Sequence, residues 1–228
     1  MTPLRIVRRA LEKGLDMIAV SDHNSAANAA VAMELGREAG ISVLPAMEIA
    51  SREEAHVLAV FASLEAALDM QASVYADLPE GDEGKRQWQV LVNRHDEVLG
   101  FERRMLLGAT HKTLEELVDE VRSLGGLAIA SHLDREAFSV MSQLGFVPRE
   151  VIFDGFEVIE AARARQGALL HPNVPLVSNS DAHRLDDIGR RATVLEAEAP
   201  EFSELALALR GEGGRTVRAE DRLRGYDN

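Results

Sequence analysis

Six residues spread over most of the chain are of types that hold divalent metal ions: His23, Glu48, His56, His132, Asp181 and His183. Each stands at an edge of a short apolar run. The Asp181-x-His183 pair ends the run Pro175-Leu176-Val177-Ser178-Asn179-Ser180, and together the two offer hard oxygen and borderline nitrogen, donors suited to zinc or manganese. One such pair is weak evidence. The repetition carries the signal, because an apolar stretch also breaks into Ser21-Asp22-His23-Asn24, into Met47-Glu48 and into Ser131-His132. Four imidazoles and two carboxylates exceed the three or four ligands of a single zinc, so the set implies two or three ions and a metal-activated water.

Such distant residues meet only if the elements carrying them converge. Gly-bounded helical stretches alternate with buried strand-type runs, the pattern of βα units. A helix opens at Thr2-Pro3 and ends at Gly14, a strand covers 16–20, and an Ala-rich helix runs to about Ala39 with Gly40 as its stop. Further strands are expected at 41–47, 56–61, 127–130, 155–159, 175–177 and 192–195, with a last one at 216–218. Helices are expected at 63–77, after Thr113-Leu114-Glu115-Glu116 at capping-box spacing, around 136–144, at about 161–169 and at 203–209. In a barrel of parallel strands the C-terminal ends gather on one face, where such folds carry their sites. His56 departs from this pattern, since it begins its apolar run.

The rhythm fails between 78 and 112, where Pro79, Gly81 and Gly84 interrupt it. This stretch reads as an insertion or lid within a single domain spanning 1–228, with 90–92 and 98–101 able to pair as a hairpin.

Composition narrows the chemistry. The 228 residues contain no cysteine, which excludes disulfides, thiolate metal sites and cysteine nucleophiles. No run approaches the roughly 18 apolar residues of a membrane helix and the start lacks a signal-peptide core, so a cytoplasmic protein without membrane contact is expected. A net charge of −13 and 4% aromatic content argue against nucleic acid as a partner. The oligomeric state is left open.

The motifs Ser21-Asp22-His23-Asn24, Met47-Glu48, Glu54-x-His56, Ser131-His132-x-Asp134-Arg135 and Ser180-Asp181-x-His183 resemble, in order, those of the PHP (polymerase and histidinol phosphatase) superfamily of phosphoesterases. The resemblance implies an α/β fold, a distorted seven-stranded TIM-like βα barrel holding up to three manganese, zinc or iron ions. It implies a hydrolase that cleaves a small phosphorylated metabolite or a nucleotide through metal-activated water. By the same resemblance Glu48 would bridge two ions, with His56 and His132 completing the second. Asp181 would hold the first ion, and His23 and His183 the third. The family's first strand, which carries His-x-His, has no counterpart here, since no His precedes His23. The expectation is that this strand belongs to a longer natural chain. The competing reading is a non-catalytic metal- or nucleotide-binding module with an incomplete site.

Other residues keep two readings. Asp22 is expected to orient an imidazole from behind the metal ligands. Arg135 and Arg190 are each a phosphate clamp or a surface ion pair. Glu157 and Glu160 could face the site, although helix N-terminal charge explains Glu160 equally well. His95, His111 and His171 fall in loops and read as solvated.

Overall fold

In the computed structural model, which describes residues 1–81, 88–160 and 173–220, the chain runs in the order α1 (Pro3–Glu12), β1 (Met17–Val20), α2 (Ala29–Ala39), β2 (Ser42–Ala50), β3 (His56–Val60) and α3 (Leu64–Asp77). It continues with β4 (Gln89–Val92), β5 (Val98–Glu102), α4 (Leu114–Ser123), β6 (Leu127–Ala130), α5 (Val140–Leu144) and β7 (Gly155–Glu157). After β8 (Leu176–Val177) come a 3-10 turn at Leu185–Asp187, β9 (Ala192–Glu196), α6 (Phe202–Arg210) and β10 (Thr216–Glu220). The helix expected at 161–169 lies outside the described residues.

Local chemistry sets several boundaries. Pro3 begins α1 with φ already helical and no N–H to satisfy. Gly40 closes α2 in the left-handed conformation at φ 78°. The Thr113–Glu116 capping box is made in both directions at the start of α4, with bonds of 2.8 and 3.1 Å. Gly36 lets α2 lie close against β2, because an added Cβ there would overlap Val43.

Six strands form the main sheet in the order β1-β2-β3-β6-β7-β8. The sheet is curled into a half-barrel. Among the described residues the edge strands β1 and β8 are not paired with each other, so the distorted barrel expected without its first strand takes the form of an open sheet of six strands. The pairing is also mixed. β1–β2, β6–β7 and β7–β8 are parallel, whereas β3 runs antiparallel to both β2 and β6. The short link from Ala50 to His56 leaves no room for the crossover that a parallel β3 would need.

Strand alternation divides the core. Met47 and Ile49 of β2, Val57 and Ala59 of β3, and Ala128 and Ala130 of β6 pack outward against Met70 and Val74 of α3 and Leu117, Val118 and Val121 of α4. Leu44, Ala46, Leu58, Val60, Leu127 and Ile129 face the concave side, where Ala206 and Leu209 of α6 meet them. By the same alternation Glu48 and His56 belong to the concave face. A smaller cluster joins α1 and α2 to β1 through Val7, Ala10, Ala32, Leu35 and Val20. Outside the main sheet, β4–β5 and β9–β10 form two antiparallel ribbons.

Candidate metal centre

The concave face ends in polar groups. A cavity of about 470 Å³ is walled by Leu44, Leu58, Val60, Ile129 and Val177, and His23, Glu48, Asp181 and His183 also line it. The antiparallel direction of β3 explains the anomaly of His56. The N-terminal start of β3 lies beside the C-terminal ends of β2 and β6, with His56 paired to Ala50 and Val57 to Ala130. Glu48 stands opposite Leu58, so Glu48 and His56 are diagonal neighbours on one face.

His23 reaches the same place because the β1–β2 ladder extends past β1. His23 bridges to Glu48, Glu48 N–H donates to Asp22 O at 3.1 Å, and Asn24 N–H donates to Glu48 O at 2.8 Å. Ligand atoms of His23, Glu48 and His56 consequently lie within 4.8 Å of one another. Glu48 Oε2 faces His23 Nδ1 at 3.3 Å and His56 Nδ1 at 3.5 Å, while its Oε1 faces His132 Nε2 at 3.4 Å. One carboxylate thus presents each oxygen to a different imidazole set.

Burial alone would raise the Glu48 carboxyl, yet the adjacent imidazoles of His132, His56 and His23 hold it well below the usual carboxylate range. Burial lowers His23 despite the attraction of Glu48, which favours the neutral, ligating imidazole. Burial also opposes charge on His132, but Glu48, Glu157 and Asp181 outweigh it and raise its pKa.

The donor set fits a divalent ion. His56 Nδ1 and His132 Nδ1 are buried without a hydrogen-bond partner among the described residues, and an orphaned buried ring nitrogen calls for a water or an ion. Imidazole nitrogens gathered around a carboxylate match the donor preferences of zinc and manganese.

Asp181 and His183 sit at the margin of this cluster. Asp181 Oδ2 accepts from Arg135 at 3.0 Å, and His183 Nδ1 lies 3.7 Å from Asp181 Oδ1. The His183 ring is 6.1 Å from that of His23. The carboxylate of Asp22 is engaged by the side chain of Gln89 at the start of β4. Burial raises the Asp22 pKa against that bond. Arg190 pairs with Asp187 at 2.8 Å and is largely exposed. Its neighbour Arg191 instead lines the cavity and donates to Asn179 O and Ser180 O at 3.0 and 3.1 Å. Glu157 is buried beneath the cluster, while the Glu160 N–H caps onto Asp134. His95 and His111 stand away from the site; His111 pairs loosely with Asp77, and His171 lies outside the described residues.

Backbone strain concentrates at this end of the sheet. Six non-glycine residues have positive φ among the described ones, and four of them, Asn24, His132, Phe138 and Asp181, belong to the strand-end segments that carry the cluster. Such concentrations mark places where neighbouring structure over-determines the backbone.

Residues 159–212 match a family described as PHP-associated. The chain superposes on the lesion-specific endonuclease Q of Pyrococcus furiosus with a TM-score of 0.68 at 19% identity, covering 95% of this chain and 53% of that one. That likeness is one of fold. The fold also matches, at TM-score 0.58 and 16% identity, a two-domain protein of Bacteroides vulgatus that contains a predicted PHP-like metal-dependent phosphoesterase, with 96% of this chain and 60% of that one covered. In sequence the chain is 32% identical over 115 residues to YqxK of Bacillus subtilis, an uncharacterised protein. It spans 30% of that relative's length and about half of the endonuclease's. Among the described residues no helix is long and apolar enough to cross a membrane.

Four residues important to the geometry are not singled out by the sequence: Gln89, Phe138, Asn179 and Arg191. Asn179 and Arg191 flank the Asp181-x-His183 pair, and the run of small polar residues after a strand was the available hint. Gln89 comes from the irregular stretch, and nothing near it in sequence pointed to Asp22.

Proposed function

We propose that this chain is a divalent-metal-dependent phosphoesterase. The observation that supports it most is the placement of His23, His56 and His132 around the two oxygens of Glu48, with buried ring nitrogens left unpartnered. Glu48 would bridge two ions, His56 and His132 serving one of them; Asp181 would take another, and His23 and His183 a third, for two or three manganese, zinc or iron ions in all. Ions so held supply Lewis acidity toward a phosphoryl oxygen and make water acidic near neutral pH.

The remaining work falls to the chain's own groups. Arg135 presents a guanidinium at the margin of the cluster, suited to bidentate contact with phosphate oxygens. Arg191 fixes the carbonyls of the segment leading to Asp181. The apolar wall of the cavity limits water behind the cluster. The substrate is a phosphate ester of a small metabolite or of a nucleotide. The fold is shared with an endonuclease that has been seen with a 27-mer duplex bearing an abasic lesion, which weighs for nucleic acid against the charge balance and aromatic content.

One observation favours a second reading, a non-catalytic metal- or nucleotide-binding module. Asp181 is paired with Arg135 rather than gathered with the other donors. Elemental analysis combined with aryl phosphate hydrolysis in added manganese separates the two. Two or three ions with turnover support the phosphoesterase, whereas one ion or none, with no mono- or diester cleaved, supports the binding module.

A further inference from the structure

Phe138 is held in a way that core packing does not account for. It lies between β6 and α5 with φ 59°, a left-handed conformation that is a genuine outlier for a bulky residue. The two residues that follow fix it there: Ser139 caps α5 and donates to Arg135 O at 2.8 Å, and Val140 is fully buried. The Phe138 carbonyl accepts the His56 N–H at 2.8 Å. Its ring lies flat against the His56 imidazole, with centroids 4.9 Å apart and an interplanar angle of 7°. Even so, 44% of the residue is exposed.

An aromatic ring that is strained, anchored, stacked on one face and open to solvent has the form of a ligand platform. The covered face backs onto His56, whose Nδ1 is 3.5 Å from Glu48. Arg135, three positions earlier in the same segment, reaches Asp181 at 3.0 Å. Phe138 is thus joined to the cluster through His56, and its own segment reaches Asp181 through Arg135.

We infer that Phe138 is a specificity-determining residue whose exposed face stacks the nucleobase of the phosphoester bound at this site. The inference rests on the phosphoesterase reading and adds to it the class of substrate. Planar bases stack on aromatic side chains irrespective of base identity, so the platform selects for a base and not among bases.

The test is equilibrium binding of adenosine 5′-monophosphate, ribose 5-phosphate and a short single-stranded oligonucleotide to the wild type, Phe138→Leu and Phe138→Trp, alongside manganese titrations. Phe138→Leu is expected to weaken the monophosphate, the oligonucleotide or both by about tenfold, leaving ribose 5-phosphate and manganese affinity unchanged, and Phe138→Trp is expected to restore binding. The monophosphate and oligonucleotide arms tell a free nucleotide from one within a strand. Equal losses for base-bearing and base-free ligands, a change in manganese affinity alone, or no change in any ligand overturns the inference. Because binding is read without turnover, the absence of ester hydrolysis counts against the phosphoesterase reading and leaves this result to be judged separately.

Discussion

The side chain of Glu157 accepts the backbone N–H of His132 at 3.0 Å, and so holds the His132 backbone at φ 31° from below. Its other oxygen accepts from Asn179 Nδ2 at 2.8 Å. A single buried carboxylate thus ties the end of β6, which carries one imidazole of the cluster, to the segment after β8, which carries Asp181. Burial raises the Glu157 pKa, in opposition to both of these hydrogen bonds.

Replacing Glu157 tests this brace. Glu157→Ala is expected to weaken manganese binding about ten- to a hundredfold, the usual cost of losing a group that orients metal ligands. Glu157→Gln, which can still accept from His132 but meets the Asn179 amide with its own amide, is expected to fall between. Calorimetric titration checks both, and unchanged affinity in Glu157→Ala would show that the brace does not position His132.

The two candidate phosphate clamps have different expected outcomes. Arg135→Gln is expected to lower kcat/KM for an ester about a hundredfold, as for loss of a charge-stabilising donor, and to weaken inhibition by inorganic phosphate. Arg190→Gln, whose partner is Asp187, is expected to change neither. Steady-state kinetics on the two variants decides, and the reverse ranking would move the clamp to Arg190.

Tyr75 supplies a pH prediction. Burial pushes its phenol up to about 12, against the lowering hydrogen bond with Ser25, at 2.9 Å. A folded value above the ordinary 10.0 means that the protonated phenol favours the folded state. That contribution is complete below about pH 10 and is lost as pH rises through about 12. Tyrosinate absorbance should show a late step near the upper value that disappears in Tyr75→Phe; a single step at the ordinary value would refute the burial argument.

Asn24 bears on stability. Its side chain is buried, donates to Leu106 O and Gly108 O at 2.8 Å each, and accepts from Ala50 N–H at 3.2 Å. It therefore pins the segment after β5 to the end of β2, one residue from His23. Asn24→Ala strands these buried groups and is expected to cost about 3 kcal/mol. Urea unfolding measures this, and a loss below about 1 kcal/mol would mean that water replaces the amide.

These residues also show what the sequence could convey. His23, Glu48, His132 and Asp181-x-His183 were legible because an apolar run breaking into polar residues is a local signal of a strand end. The capping box at Thr113 and the stop at Gly40 were legible for the same reason, since each depends on a few adjacent residues. His56 was recognised as a candidate, but its place at a strand start was a puzzle. An apolar run reads alike in either direction, and the antiparallel insertion of β3 between β2 and β6 is a long-range choice. Gln89, Arg191 and Phe138 act through partners distant in sequence or through strained backbone, and neither leaves a periodic trace. The mixed parallel and antiparallel pairing of the sheet likewise depends on which edges find partners, a property of the assembled fold.

The central claim is that an ion at Glu48 drives ester cleavage. The most direct measurement is hydrolysis of bis(p-nitrophenyl) phosphate and p-nitrophenyl phosphate by chelator-stripped protein as manganese is titrated back, with ion occupancy followed in parallel for the wild type and Glu48→Ala. The expected result is that the rate rises with occupancy in the wild type and that Glu48→Ala shows neither binding nor turnover. Saturated occupancy with neither ester cleaved, or a rate indifferent to manganese, would contradict it.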